Sequence, residues 1–417
     1  MSVSLKRVSV LTVAVMTTAG LAACSSSKSS TSATTAAPAA TTAAPGSSAP
    51  TTAAGASISA TSFTSDFSAM SQLTSLASQG KGLIGVLLPD TTTSTRYVAY
   101  DQPYLQKAFT TAGLSSSQFK IDNAQGSDDT MKTQADADIT EGASVLIVDP
   151  NTPGGGAAIE ADAASKGVKV IDYDRLTLGG SRSYYVSFNN VLVGKAMGQG
   201  LVSCISAWHV SKPQVVVMHG AATDNNATLF AQGYDGVLNP LFNGGKYTAV
   251  AHTAGTWDAP TQENEFQAVY TAHTNTNAAL VPNDTTNAPI VTYLQSLHVK
   301  PKTFPTTGQD ASLVGLQNVL AGYQCGSVYK PIFLETQAAA ALAIYLRAGQ
   351  TPPPALLNGK TSDTGPTPAI DVPSVLLTPV WVTTANMNST VVADKFVDKA
   401  MLCAGAFAAI CTSAGIS

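Results

Sequence analysis

From residue 82 onward the chain alternates short apolar runs with longer stretches whose apolar positions recur at helical spacing. Residues 82–88 are aliphatic or glycine throughout, the pattern of a strand covered on both faces of a parallel sheet. Residues 97–112 then read as a helix, closed by Gly113. The unit repeats with strands at 120–122, 145–148 and 168–172, and helices over 128–141 and 157–166. After a short strand at 184–188 the alternation restarts. Helices are predicted over 191–206, 229–238 and 262–271, and strands at 214–218, 248–251 and 278–281. Repeated βα units with near-continuous apolar strands predict doubly wound parallel sheets, and two such blocks predict two α/β lobes. In open sheets of this class ligands bind outside the carboxyl ends of the strands. The polar residues just past the strands are therefore the candidates for function.

The first 80 residues follow another pattern. Lys6 and Arg7 precede an apolar run over 8–20, and Leu21-Ala22-Ala23-Cys24 follows. A basic start, a short apolar stretch and small residues predict a signal peptide over 1–23. The last four of these residues resemble the lipobox of bacterial lipoproteins, which makes Cys24 the expected lipidation site and mature N-terminus. Residues 25–62 are almost wholly Ser, Thr, Ala, Pro and Gly, so 24–80 is read as a lipid-anchored tether.

Composition narrows the class. The 417 residues include 22 Lys and Arg and 26 Asp and Glu, for a net charge of −4. That 12% is about half the share usual in soluble domains, while 44% of the chain is hydrophobic. Disorder driven by charge and a multi-span membrane protein are both disfavoured for the bulk of the chain. Nucleic acid is excluded as the main partner, because no cationic surplus exists to neutralise phosphates. The five histidines, at 209, 219, 252, 273 and 298, show no ligand spacing, so no metal site is expected; no cofactor is expected either.

The strand ends carry related chemistry. They lead to Asp90 and Arg96-Tyr97, to Asp172–Arg175, to Asp224-Asn225-Asn226 and to Trp257. Later ends lead to Asn283-Asp284, Gln309-Asp310 and Lys330. Taken singly, an Asp or Asn after a strand is commonly a helix cap or turn residue. Repeated at seven such sites, carboxylates, amides and guanidinium groups beside aromatic rings suit a polyhydroxylated ligand. A hydrolase could also set carboxylates around a sugar. Here they are interleaved with amides and cations suited to holding hydroxyls, and no nucleophile elbow or zinc-protease helix motif is present. No catalytic residue is expected.

Several stretches carry a family resemblance. They are Tyr173-Asp174-Arg175, Tyr185–Asn190 with Val193-Gly194, and Asp224–Phe230. Further on are Gly308–Ala311, Val328–Pro331 and Val372–Pro379. In this order they resemble the periplasmic sugar-binding proteins of ABC importers, ribose/galactose-type class, and within it the D-xylose-binding branch. The resemblance covers roughly residues 81–400. It implies a type I periplasmic binding protein, with two lobes joined by three hinge crossovers near 187–190, 328–331 and 377–380. The N-terminal lobe would comprise 81–187 with 331–378, and the C-terminal lobe 188–330 with 379–417.

Carried over residue by residue, the N-terminal lobe would offer Arg96, Tyr97, Asp174 and Arg175 to the sugar. Tyr97 stands where the family often has tryptophan. The C-terminal lobe would offer Asp224, Asn226, Trp257, Asn283 and Asp310, with Lys330 at the hinge. Asn225 could exchange roles with Asn226, and Asp90 would stand behind the site. The implied function is capture of D-xylose or a related pentose by hinge closure, by a monomeric lipoprotein that touches the membrane only through its anchor and delivers sugar to an ABC permease. The alternatives are a sugar sensor for a membrane receptor and a carbohydrate-active hydrolase. With Cys24 lipidated, four cysteines remain for an oxidising compartment, and three connectivities are open to them. Cys403 with Cys411, close in sequence, would leave Cys204 and Cys325 together in the C-terminal lobe.

Overall fold

A computed structural model describes residues 58–416. The signal peptide, Cys24 and the tether as far as residue 57 lie outside the described residues. The apolar runs become parallel strands: β1 (Leu83–Leu88), β2 (Phe119–Asn123), β3 (Ala143–Val148), β4 (Lys169–Tyr173) and β5 (Tyr184–Phe188). They lie in the order β5-β4-β3-β1-β2, with helices in every connection but the one from β4 to β5. The chain then leaves this sheet and forms β6 (Gln214–Val217), β7 (Thr248–His252) and β8 (Ala278–Leu280), parallel in the order β7-β6-β8. β9 (Gly308–Gln309) and β10 (Ser327–Tyr329) pair beyond them.

The helix Ile332–Arg347 returns to the first sheet, packing on helix Gln102–Thr111 and on β3, β4 and β5. A hairpin of β11 (Gly359–Asp363) and β12 (Ile370–Leu377) follows, and β12 lies parallel to β5. This completes a seven-stranded sheet. Finally β13 (Val380–Val382) joins β10. The backbone thus passes between the two sheet systems three times: after Phe188, at Lys330-Pro331, and between Leu377 and Val380. Helix Asn190–Ala207 packs closely on helix Asn225–Asn243 because Gly194 faces the Phe230 carbonyl, where a Cβ would collide.

The tether ends earlier than the composition suggested. A 3₁₀ turn, Ser68–Leu73, and the helix Thr74–Gln79 dock on the first lobe, with Phe63, Phe67, Met70 and Leu73 buried. Arg347 Nη1 donates to the Ala77 carbonyl at 2.9 Å, and Gln337 Nε2 to that of Thr64 at 2.9 Å. The boundary at 80 is corrected accordingly: five large apolar residues within 58–80, Ile58 among them, supply a face worth burying, which the Ser- and Thr-rich stretch before them lacks. Helix Asn225–Asn243 also starts earlier than the apolar period, because Asp224 caps it and accepts from the Asn226 N–H. The structure joins Cys204 to Cys325 and Cys403 to Cys411. Among the described residues no helix is long and apolar enough to cross a membrane.

Candidate functional site

The carboxyl ends of β1, β4, β6, β7, β8 and β9 converge with the Lys330 crossover on one cavity between the sheets. All ten residues singled out from the sequence line it, and Thr93, Ser94, Phe230 and Gln309 complete the wall.

The loop after β1 is shaped by Asp90. Its Oδ1 accepts from the Thr92 and Thr93 N–H groups at 2.7 Å each, and its Oδ2 from Thr93 Oγ1 at 2.6 Å. Asp90 does not line the cavity; it presents Thr93 and Ser94 instead. Ser94 Oγ donates to Asp310 Oδ2 at 2.8 Å, joining the lobes across the cleft.

Arg96 sits deeper than a ligand-facing cation would. Its Nε and Nη2 donate to Asp101 at 2.9 and 2.7 Å, Nη1 to Asp174 at 2.7 Å, and Nη2 also to Glu335 at 2.6 Å. Four of its five N–H groups are thereby committed within the protein. Arg96 borders the cavity, yet its geometry is that of a group holding Asp174 from behind. Burial pushes the Asp174 carboxyl up, but Arg96, Lys330 and Arg175 outweigh it and hold it near 2. Glu335 behaves oppositely: burial raises it to about 8, Arg96 offsetting only part of that while Asp174 and Asp101 add to it.

Asp174 and Asp310 share a backbone feature. Their φ angles are 54° and 87°, in the left-handed region that non-glycine residues rarely occupy. In both cases this turns a carboxylate into the cleft at the end of a strand. Asp310 lies 3.2 Å from Lys330 Nζ, and Asp174 lies 3.8 Å from it. The ammonium is buried; desolvation lowers its pKa, but Asp310 and Asp174 overcome this and raise it. Charges therefore alternate from Asp310 through Lys330, Asp174 and Arg96 to Glu335.

The far wall comes from helix starts. Asp224 and Asn283 are both N-caps and cavity residues, so one side chain can close a helix and face the cavity. Asp224 uses Oδ1 to cap Asn226 N–H at 2.9 Å and Oδ2 to accept Trp257 Nε1–H at 3.0 Å. Arg175 of the opposite lobe lies 3.5 Å from Oδ2. Asn283 caps Thr286 with Oδ1 at 2.8 Å and turns Nδ2 across the cleft toward the Thr93 carbonyl, 3.3 Å away. Asn226 rather than Asn225 enters the cavity. Its Nδ2 donates to the Asp174 carbonyl at 3.0 Å, and its Oδ1 accepts from Asn190 at 2.7 Å. The Trp257 ring lies against Gly220, where a Cβ would collide with it. Gln262 Nε2 ties the neighbouring Thr256 and His219 carbonyls at 2.9 Å each.

Asp284 does not reach the cavity. It is fully buried, accepting from Ser312 N–H, Gln324 Nε2 and Ser327 Oγ. Asp101 and Glu335 gave no sequence signal, because each occupies a polar position within a helical stretch rather than a strand end. The lining of carboxylates, amides, cations and aromatic faces can hold a neutral polyol by many hydrogen bonds at once. Among the described residues no cluster of three or more metal-ligating side chains occurs.

Comparison with known proteins places this geometry. The model of the periplasmic binding protein domain family matches residues 84–351. The D-xylose-binding periplasmic protein of Escherichia coli is 32% identical over 66% of this chain and 80% of its own length. That of Haemophilus influenzae is 30% identical over 67% and 81%. A carbohydrate transporter solute binding protein from Chloroflexus aurantiacus, solved in complex with D-glucose, superposes with a TM-score of 0.67 at 27% identity. The match covers 77% of this chain and 98% of that one.

Proposed function

Because the chain belongs to the periplasmic binding protein domain family, we propose that its cleft captures one monosaccharide, D-xylose foremost, and delivers it to the permease of an ABC importer. The chain is an extracytoplasmic sugar-binding protein of ABC transport, and its relatives and fold are those of binding proteins rather than enzymes. One observation carries the reading: both lobes contribute hydrogen-bonding groups to a single cavity, and Ser94 and Asp310 meet across it. A ligand there gains its full set of contacts only when the lobes are together, so it shifts the hinge equilibrium by its differential affinity for that state. The permease can then distinguish loaded from empty protein by shape.

D-xylose is favoured by the two relatives named for it. The D-glucose complex of the Chloroflexus protein makes glucose the competitor to test. We further propose that Cys24 is lipidated and that the protein acts as a monomer. A thermal-shift screen of pentoses, hexoses and polyols tests the ligand: D-xylose should raise the melting temperature most, because a ligand that binds only the native state stabilises it. A screen in which no sugar moves the melting temperature would rule out sugar capture by this cleft. A Cys24→Ala variant that remained with the membrane fraction would rule out the anchor.

A further inference from the structure

Of the three aromatic rings lining the cavity, Tyr97, Phe230 and Trp257, only Tyr97 carries a hydroxyl. It is the first residue of the π-helical turn Tyr97–Asp101 and is 2% exposed. The guanidinium carbons of Arg96 and Arg175 lie 5.5 and 5.6 Å from its ring centroid. Its hydroxyl donates to Asp174 Oδ2 at 3.2 Å and accepts from Arg175 Nη2 at 3.1 Å. Burial raises the phenol's pKa well above its ordinary value, which keeps the hydroxyl protonated.

This arrangement limits what the N-terminal wall can offer a ligand. Arg96 is committed to Asp101, Asp174 and Glu335. Asp174 Oδ1 is occupied by Arg96 and Oδ2 by Tyr97. Arg175 gives one N–H to Tyr97 and faces Asp224 with another. The phenol oxygen thus sits between two polar groups of this wall, Asp174 and Arg175, and satisfies part of both.

We propose that the Tyr97 hydroxyl is a specificity determinant that restricts the cavity to sugars lacking an exocyclic hydroxymethyl group, that is, to pentopyranoses over hexopyranoses. The proposal rests on the reading of the cavity as a monosaccharide site. A hexose must displace a buried hydroxyl bonded on both sides, whereas a pentose leaves it in place. Removing that oxygen opens space and frees one acceptor position on Asp174 and one donor on Arg175, which the sixth-carbon hydroxyl of a hexose can use.

D-xylose and D-glucose differ, as pyranoses, only in that hydroxymethyl group, and 6-deoxy-D-glucose carries a methyl in its place. Calorimetry of all three sugars with the full mature chain and its Tyr97→Phe variant tests the assignment. The wild-type protein should bind D-xylose more tightly than D-glucose. The variant should narrow that ratio about tenfold or more, the scale at which one pocket group discriminates between substrates. A gain by both hexoses supports a gate acting through volume; a gain by D-glucose alone supports one acting through hydrogen bonding. An unchanged ratio in the variant overturns the proposal while leaving sugar binding intact. Equal wild-type affinity for D-xylose and D-glucose overturns it without recourse to the variant. If the wild-type chain binds none of the three, the monosaccharide reading fails, and this inference with it.

Discussion

Asp174 and Asp310 show how single residues make this site. Both end a strand, both carry positive φ, and both present a carboxylate whose charge is balanced inside the protein by Arg96 or Lys330. A carboxylate held this way accepts hydroxyl donors without reorganising, and removing it leaves a buried cation uncompensated. Asp310→Ala should therefore weaken D-xylose binding by about 2–4 kcal/mol, the loss expected for a charge-assisted bond in a desolvated site. Unchanged affinity by calorimetry would remove Asp310 from the site. Arg96 teaches a different lesson. Its place after the first strand marked it for the ligand, but only its three carboxylate partners reveal a supporting role. One of them, Glu335, is 239 residues away in the sequence, beyond the reach of any local pattern.

At the scale of elements, the helix starts do double duty. Asp224 and Asn283 each close a helix N-terminus with one oxygen and keep another atom for the cleft, so the rigidity of the helix is passed to the site. Asp284, the next residue, holds the elements together from within. It gathers Ser312, Gln324 and Ser327 and so fixes the start of helix Asp284–Ser296 against β9 and β10. Burial raises its pKa from 3.8 to about 7. Between those values the native state retains a proton that the unfolded chain has released, so this group makes stability fall as pH rises through the window. Asp284→Asn should flatten that slope and, by mispairing one buried donor, cost about 1–3 kcal/mol overall. Thermal melts between about pH 4 and 8 check the sign, and an unchanged slope would show that Asp284 is not the titrating group.

Over the whole molecule, three chain crossings join two sheet systems, and the site lies where their strand ends face each other. The Cys204–Cys325 bridge closes a span of 121 residues within the second sheet system, tying helix Asn190–Ala207 to the segment before β10. A Cys204→Ala/Cys325→Ala double variant should lose about 4–5 kcal/mol of stability, the chain-entropy expectation for so long a loop. Denaturant unfolding measures it, and a variant as stable as the parent would assign the bridge no structural weight.

The alternation of apolar runs and helical periods determined the class of fold, the order of elements and the strand ends at which ligand groups stand. Those are local properties, written in spacings of two to four residues. The residue types at the strand ends likewise determined the chemistry of the cavity. Only the tertiary structure decided which groups face the ligand and which serve one another. It turned Arg96 toward Asp101 and Glu335, sent Asp284 into the core, chose Asn226 over Asn225, and folded residues 58–80 onto helix Ile332–Arg347. Each of those outcomes depends on burial and on partners distant in the chain, and the cost of leaving a buried charge unpaired, which selects among them, arises only once the lobes are packed.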